Sequence, residues 1–198
     1  MRDTIRNMLM GVKREGMEEL LQYLDKSGFF TAPASTKYHG ASEGMLAEHS
    51  WNVMKCALEL ASEWLSYEDY KEMYDSIVIC ALLHDLGKAG QYDKPLYVAN
   101  ILKSGKPSDT QPYKRNEELL TVDHEIVSVV EASRYIELTE DEQLAILWHN
   151  GLYGNFKYQI QGKETPLYMI IHFADMWASR VVEKEDRNDN SGTEEGVK

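Results

Sequence analysis

The sequence contains few cysteines and no long hydrophobic run. Only Cys56 and Cys80 occur in 198 residues, and both fall within apolar helical patterns, so we expect buried, reduced thiols rather than a disulfide or a cysteine-rich zinc site. No stretch approaches the roughly 18 apolar residues that a membrane span requires, and the first residues show no signal-peptide pattern. These absences predict a cytoplasmic protein without a membrane partner.

Positive charge is also scarce. The chain has 21 Lys and Arg residues against 33 Asp and Glu residues, which gives a net charge of -12 and an isoelectric point near 4.9. A protein that holds a long nucleic acid needs a basic face for counterion release, so the composition argues against such a partner. A small anionic substrate is compatible with it, because a bound cation and a few local Lys or Arg side chains can reverse the field inside a cleft.

No segment shows the period-two alternation of a half-buried strand, whereas apolar residues recur at steps of three and four through most of the chain. The sequence therefore predicts an all-α helical bundle, built as a single domain over residues 1–182. Residues 91–115 contain three prolines and predict a long irregular loop. Residues 183–198 carry almost no large apolar side chain, which predicts a flexible acidic tail.

Four histidines and two aspartates fall on the inward faces or at the ends of the predicted helices: His49, His84, Asp85, His124, His149 and Asp175. A single histidine on an apolar face is more often a core residue than a ligand, but buried acids without partners are costly. The joint occurrence of six such residues favours a metal cluster, because divalent ions take imidazole and carboxylate ligands from several helices.

Three motifs carry a resemblance to a known family. The sequences EHS at His49, LLHDLGK from Leu82 to Lys88 and HFADMWASR around Asp175 resemble the H, HD and D motifs of the HD superfamily of metal-dependent phosphohydrolases, within residues 38–180. The resemblance implies an HD-domain helical bundle with a long loop after the HD motif. It also implies one divalent ion held by four ligands: His49, His84, Asp85 and Asp175.

Two further histidines match the additional ligands of the two-metal branch of that superfamily. His124 and His149, with Asp85 as a bridge, would hold a second ion. The resemblance thus implies one or two divalent ions, of Mn, Fe, Mg, Ni or Co.

The function implied by the resemblance is hydrolysis of a phosphomonoester or phosphodiester, in a nucleotide or a short oligonucleotide, by metal-activated water. Asp85 and Lys88 are the expected catalytic residues, and Lys88 would contact a substrate phosphate as a point charge. Three substrate-binding residues are expected: Lys88, Asn150 and Arg180. Two alternatives stay open, an HD-type di-iron oxygenase with the same ligand set and a module that binds a nucleotide without cleaving it.

The predicted long loop concentrates cations and aromatic residues, among them Tyr97, Tyr113 and Arg115. This composition fits a lid over a nucleotide, and it fits an ordinary solvated loop equally well. The sequence leaves both interpretations open.

Overall fold

The computed structural model describes residues 1–37 and 40–184. Residues 38 and 39, where the motif-bearing part begins, and residues 185–198, most of the predicted tail, lie outside this range. The described part is helical, which confirms the all-α prediction, and it contains no helix with the length and apolar character of a membrane span. Its α-helices are α1 (Arg2–Met10), α2 (Met17–Lys26), α3 (Met45–Trp64), α4 (Tyr67–Leu83), α5 (His124–Ser133), α6 (Glu140–Trp148), α7 (Lys157–Ile160) and α8 (Pro166–Trp177).

The core lies between α3, α4, α6 and α8. Helix α3 packs against α4 and α8, and α8 also packs against α6. The residues that meet there repeat at helical spacing and are buried, among them Leu46, Val53, Ala57, Ile77, Ala81 and Ile171. Burial of these apolar faces is the main stabilising contribution, and it brings the ends of α4 and α6 close to the C-terminal half of α8.

A buried ion pair fixes the start of α6. Thr139 and Glu142 form a capping box, as their spacing predicts. The Glu142 carboxylate also accepts hydrogen bonds from the Arg14 guanidinium at 2.9 and 2.7 Å and from Ser76 Oγ at 2.7 Å. These contacts tie α6 to α4 and to the segment between α1 and α2, so the helix that ends at His149 has a fixed direction.

A short antiparallel sheet interrupts the predicted loop. Strand β1 (Tyr97–Ala99) pairs with β2 (Tyr113–Arg115), and Tyr97 lies opposite Arg115. The prediction of a long irregular loop over residues 91–115 was therefore wrong for these two strands. Strands of three residues are too short to show an alternating pattern, which explains why the sequence did not indicate them.

The end of the described chain also differs from the prediction. After α8 the backbone continues through a π-helical turn (Ala178–Val182), and Glu183 follows it in a buried position. The prediction of a flexible tail starting at residue 183 was wrong at Glu183, because its carboxylate pairs with His49 in the interior. The remaining predicted tail, residues 185–198, lies outside the described residues.

Candidate metal centre

The structure brings together all six residues that the sequence predicts as ligands. His49 lies in the first turns of α3, His84 and Asp85 follow α4, and His124 is the first residue of α5. His149 follows α6, and Asp175 lies in α8. Three overlapping sets of ligand atoms each fall within 4.8 Å of one another: His49, His84 and Asp85; His84, His149 and Asp175; Asp85, His124 and His149.

The carboxylate of Asp85 lies between two pairs of histidines. Its Oδ2 atom lies 3.5 Å from His49 Nε2 and 3.4 Å from His84 Nε2. Its Oδ1 atom lies 3.1 Å from His124 Nε2 and 3.5 Å from His149 Nε2. Each carboxylate oxygen therefore faces its own pair of imidazole nitrogens.

The outer nitrogen of each histidine contacts an oxygen acceptor of the protein. A Nδ1–H group that donates outward leaves Nε2 free to bind an ion. Two of these acceptors are carboxylates and two are backbone carbonyls: Glu183 for His49 at 2.7 Å, Glu125 for His124 at 3.2 Å, Ala81 for His84 at 2.9 Å and Ile146 for His149 at 2.8 Å.

Two atoms at the middle of the cluster lack hydrogen bonds. Asp85 Oδ1 and His124 Nε2 are buried and have no hydrogen-bond partner among the described residues. A buried polar atom without a partner costs about 1–3 kcal/mol. A divalent cation between a carboxylate oxygen and an imidazole nitrogen would satisfy both atoms. The donor set therefore fits a metal ion.

A comparison with known protein families agrees with this geometry. The model of the HD domain family matches residues 46–176, a span that contains all six converging residues. The chain belongs to the HD domain family. Proteins of this family are generally metal-dependent hydrolases. Searches of curated proteins and of solved structures gave no match.

The charges of this HD domain show which groups hold protons before an ion binds. Burial lowers the pKa of His49, but its hydrogen bonds with Asp175 and Glu183 outweigh burial and raise the pKa to about 10. Burial lowers the pKa of His149 to about 3. Burial raises the pKa of Asp85, but the charges of Lys88 and His84 and the hydrogen bonds from His124 and His84 together outweigh burial and hold this pKa well below its usual range. A cation bound here would meet ionised carboxylates and would displace a proton from His49.

Lys88 connects the HD motif to a neighbouring cleft. Its Nζ atom donates to Asp85 Oδ2 at 2.6 Å. The side chain also lines a cleft of about 270 Å³ together with Tyr97 and Tyr113 of the small sheet. The Lys88 side chain therefore connects one of the predicted ligands to this cleft.

A second, smaller cleft reaches the centre from α8. His149, Asp175, Asn150 and Arg180 are among the residues that line its volume of about 90 Å³. The Arg180 guanidinium lies 5.1 Å from the centre of the Tyr153 ring. Asn150 Nδ2 donates to Glu125 Oε1 at 2.7 Å and lies 3.0 Å from His149 Nε2. The structure therefore places Asn150 and Arg180 beside the centre, with the Asn150 amide bound to protein groups.

A glycine of the HD motif permits the close approach of α5. The Gly87 N–H group donates to Ser128 Oγ at 2.8 Å, and this hydroxyl donates to the His124 carbonyl at 2.8 Å. A methyl group on Gly87 would lie 2.2 Å from the His124 carbonyl oxygen. Only glycine leaves room for the backbone that carries His124.

Sequence reasoning missed the two buried carboxylates behind the histidines. Glu125 and Glu183 are each 5% exposed, although glutamate is rarely buried without a partner. One signal was available for Glu183, which follows Asp175 by eight residues and so falls on the same helical face. Glu125 follows a predicted ligand directly, a position that carries no periodic signal.

Proposed function

We propose that this HD domain protein is a metal-dependent phosphohydrolase that cleaves a phosphomonoester or phosphodiester of a nucleotide or a short oligonucleotide. The observation that carries the proposal is the position of Asp85, whose two oxygens each face a separate pair of histidine Nε2 atoms. A carboxylate shared in this way would suit a centre of two divalent ions. One ion would take His49, His84, Asp85 and Asp175, and the other Asp85, His124 and His149.

The side chains of the protein would position the reaction. Ions in these two places would supply a hydroxide nucleophile near neutral pH and neutralise phosphoryl oxygens. Glu183 and Glu125 hold the Nδ1 atoms of His49 and His124, which orients both imidazoles and raises their basicity. The burial of Asp85 keeps bulk water from its carboxylate and strengthens its attraction for cations.

Two positively charged side chains, one on each side of the centre, would hold the substrate. Lys88 approaches from the larger cleft and Arg180 lines the smaller one. Lys88 now donates to Asp85 Oδ2. A phosphate oxygen of the substrate could accept this hydrogen bond instead and would then lie close to the ions. Lys88 is therefore a stronger candidate for catalysis than Arg180. Asn150 would orient His149 and Glu125, with which it already makes contact.

The first experiment is metal analysis of protein purified without chelator, followed by aerobic and anaerobic assays of nucleotides and generic phosphodiesters with Mn²⁺. We expect near two equivalents of metal and oxygen-independent release of phosphate. Asp85→Ala should lose both metal and activity, whereas Asp109→Ala, which changes an exposed aspartate, should keep both.

Other outcomes would support the alternatives. Bound iron, oxygen-dependent turnover and no hydrolysis of any phosphate ester would favour an HD-type di-iron oxygenase, which uses the same ligand types. Nucleotide binding without turnover by metal-replete protein would favour a binding module. A fully active and metal-replete Asp85→Ala variant would contradict the proposed centre.

A further inference from the structure

The small sheet presents one face to the cleft beside Lys88. Tyr97 lies opposite Arg115 in the register of β1 and β2, and Tyr113 precedes Arg115 by two residues. Opposed residues, and residues two apart in a strand, project from the same face of a sheet. Tyr97 and Tyr113 both line the cleft with Lys88. Arg115 therefore belongs to the face that the sheet turns toward this cleft.

Arg115 carries a charge that no carboxylate of the described chain neutralises. Its Nη2 atom donates to the Val122 carbonyl at 2.7 Å, but its Nε atom is buried without a hydrogen-bond partner among the described residues. None of the ion pairs within residues 1–37 and 40–184 includes Arg115, although the chain contains 33 acidic residues. A partly buried guanidinium without a counterion is costly, so this position favours an anionic ligand.

The contact with Val122 places the guanidinium beside the segment that leads into α5, because Val122 precedes His124 by two residues. Tyr97 provides a second indication of the position of Arg115. Burial raises the pKa of its hydroxyl, and the charges of Lys88, Asp85 and Arg115 act on the same group. Tyr97 thus shares a cleft with Lys88 and a strand pair with Arg115, and both charges reach its hydroxyl.

We infer that Arg115 binds the phosphate of the substrate together with Lys88, and that the cleft beside Tyr97 and Tyr113 takes the base of a nucleotide. This inference rests on the proposed function and narrows its substrate to a nucleotide with a terminal phosphate. A terminal phosphate has a second negative charge and free oxygens for the planar fork of a guanidinium. An aromatic side chain offers a stacking surface to any base.

The dimensions of the cleft agree with a small ligand. Its volume of about 270 Å³ lies just below the ~300–1,000 Å³ that ligand pockets usually have. A single nucleotide matches this size, and the net charge of -12 disfavours a long nucleic acid.

Binding of inorganic phosphate to the Mn²⁺-loaded protein tests Arg115 without requiring turnover. By isothermal titration calorimetry, Arg115→Ala should weaken phosphate binding by about tenfold or more, as expected for loss of a hydrogen bond to a charged group. Lys114→Ala is the matched control, because it removes the same charge from the adjacent position. The Lys114 side chain is 44% exposed and pairs with Glu117, so this variant should bind phosphate within about twofold of the original protein.

A second variant separates recognition from folding. Arg115→Lys keeps the charge but loses the planar fork, so its phosphate affinity should lie between those of the original protein and Arg115→Ala. Metal content should be unchanged in every variant. Equal phosphate affinity of Arg115→Ala and Lys114→Ala would overturn the inference, and so would an Arg115→Lys variant that folds and binds phosphate as the original protein does.

Activity assays distinguish this inference from the proposed function. Arg115→Ala should lower kcat/KM about tenfold for a nucleoside monophosphate and much less for bis(p-nitrophenyl) phosphate, which has no terminal phosphate. If the original protein hydrolyses no phosphate ester yet its phosphate binding depends on Arg115, the proposed function fails and the binding site stands. If it hydrolyses esters and Arg115→Ala matches Lys114→Ala, only the inference fails.

Discussion

Replacement of Gly87 by alanine tests whether the packing of α5 positions the second set of ligands. The added methyl group would lie 2.2 Å from the His124 carbonyl oxygen and 2.9 Å from Val127 Cβ. Favourable contacts between heavy atoms begin at about 3.5 Å, so the start of α5 has to move by about 1 Å. The obstacle at His124 is backbone, which cannot rotate away as a flexible side chain can.

This displacement should affect one ligand set and leave the other in place. Overpacking of this kind costs about 1–3 kcal/mol of the free energy of unfolding. A shift of about 1 Å also exceeds the tolerance of about 0.2 Å for metal–ligand distances. His124 would therefore lose its position beside Asp85 Oδ1, while His49, which belongs to α3, would keep its own. We expect Gly87→Ala to bind close to one equivalent of metal instead of two.

Mass spectrometric metal analysis measures the number of ions, and urea unfolding of the chelator-treated protein measures the packing cost. Gly105→Ala is the control for metal binding, because its methyl group would meet no atom of the described chain within 4 Å, although its positive φ of 80° makes alanine costly for stability there as well. The control should keep both ions. Two equivalents of metal and unchanged stability in Gly87→Ala would refute the argument that α5 positions His124 through this glycine.

Three further predictions concern the groups around the centre and the core. Glu183→Gln removes the negative charge that contacts His49 Nδ1, so Mn²⁺ affinity should fall about 10–100-fold. Competition with a chelating dye measures this affinity, and an unchanged value would contradict the role of Glu183. Binding of Mn²⁺ at pH 8 should release about one proton from His49, because its pKa is about 10 and a ligand imidazole is neutral. Mn²⁺ affinity should therefore rise with pH up to about pH 10. Calorimetry in buffers of different ionisation enthalpy counts the protons released on binding, and release of no proton would contradict this assignment. Arg14→Ala leaves the buried Glu142 carboxylate without its cation, so the free energy of unfolding in urea should fall by about 3–5 kcal/mol, and a loss below about 1 kcal/mol would show that the pair matters little.

The helices and the six converging residues could be predicted because each depends on local patterns. The steps of three and four that place Leu46 and Val53 in the core also place His49 on the inward face of α3. The HD pair ends an apolar helix, and the capping box at Thr139 marks the start of the helix that ends at His149. Helical periodicity and motif spacing were sufficient for these features.

The features that sequence reasoning missed depend on contacts between distant parts of the chain. Glu183 is buried because His49 lies 134 positions earlier in the chain and supplies a hydrogen-bond donor. Strands β1 and β2 have three residues each, and their pairing places Arg115 on the same sheet face as Tyr97 and Tyr113. A single acidic residue or a three-residue strand shows no periodicity in the sequence. Its place in the fold can be inferred only when the residue or strand that it pairs with is known.

In the metal-loaded protein, Asp85 should lie between two ions. A crystal of the Mn²⁺-loaded protein, with anomalous difference density measured for manganese, tests it most directly. We predict two peaks on either side of the Asp85 carboxylate, one against His49, His84 and Asp175 and the other against His124 and His149. The absence of manganese density next to Asp85 would contradict the account.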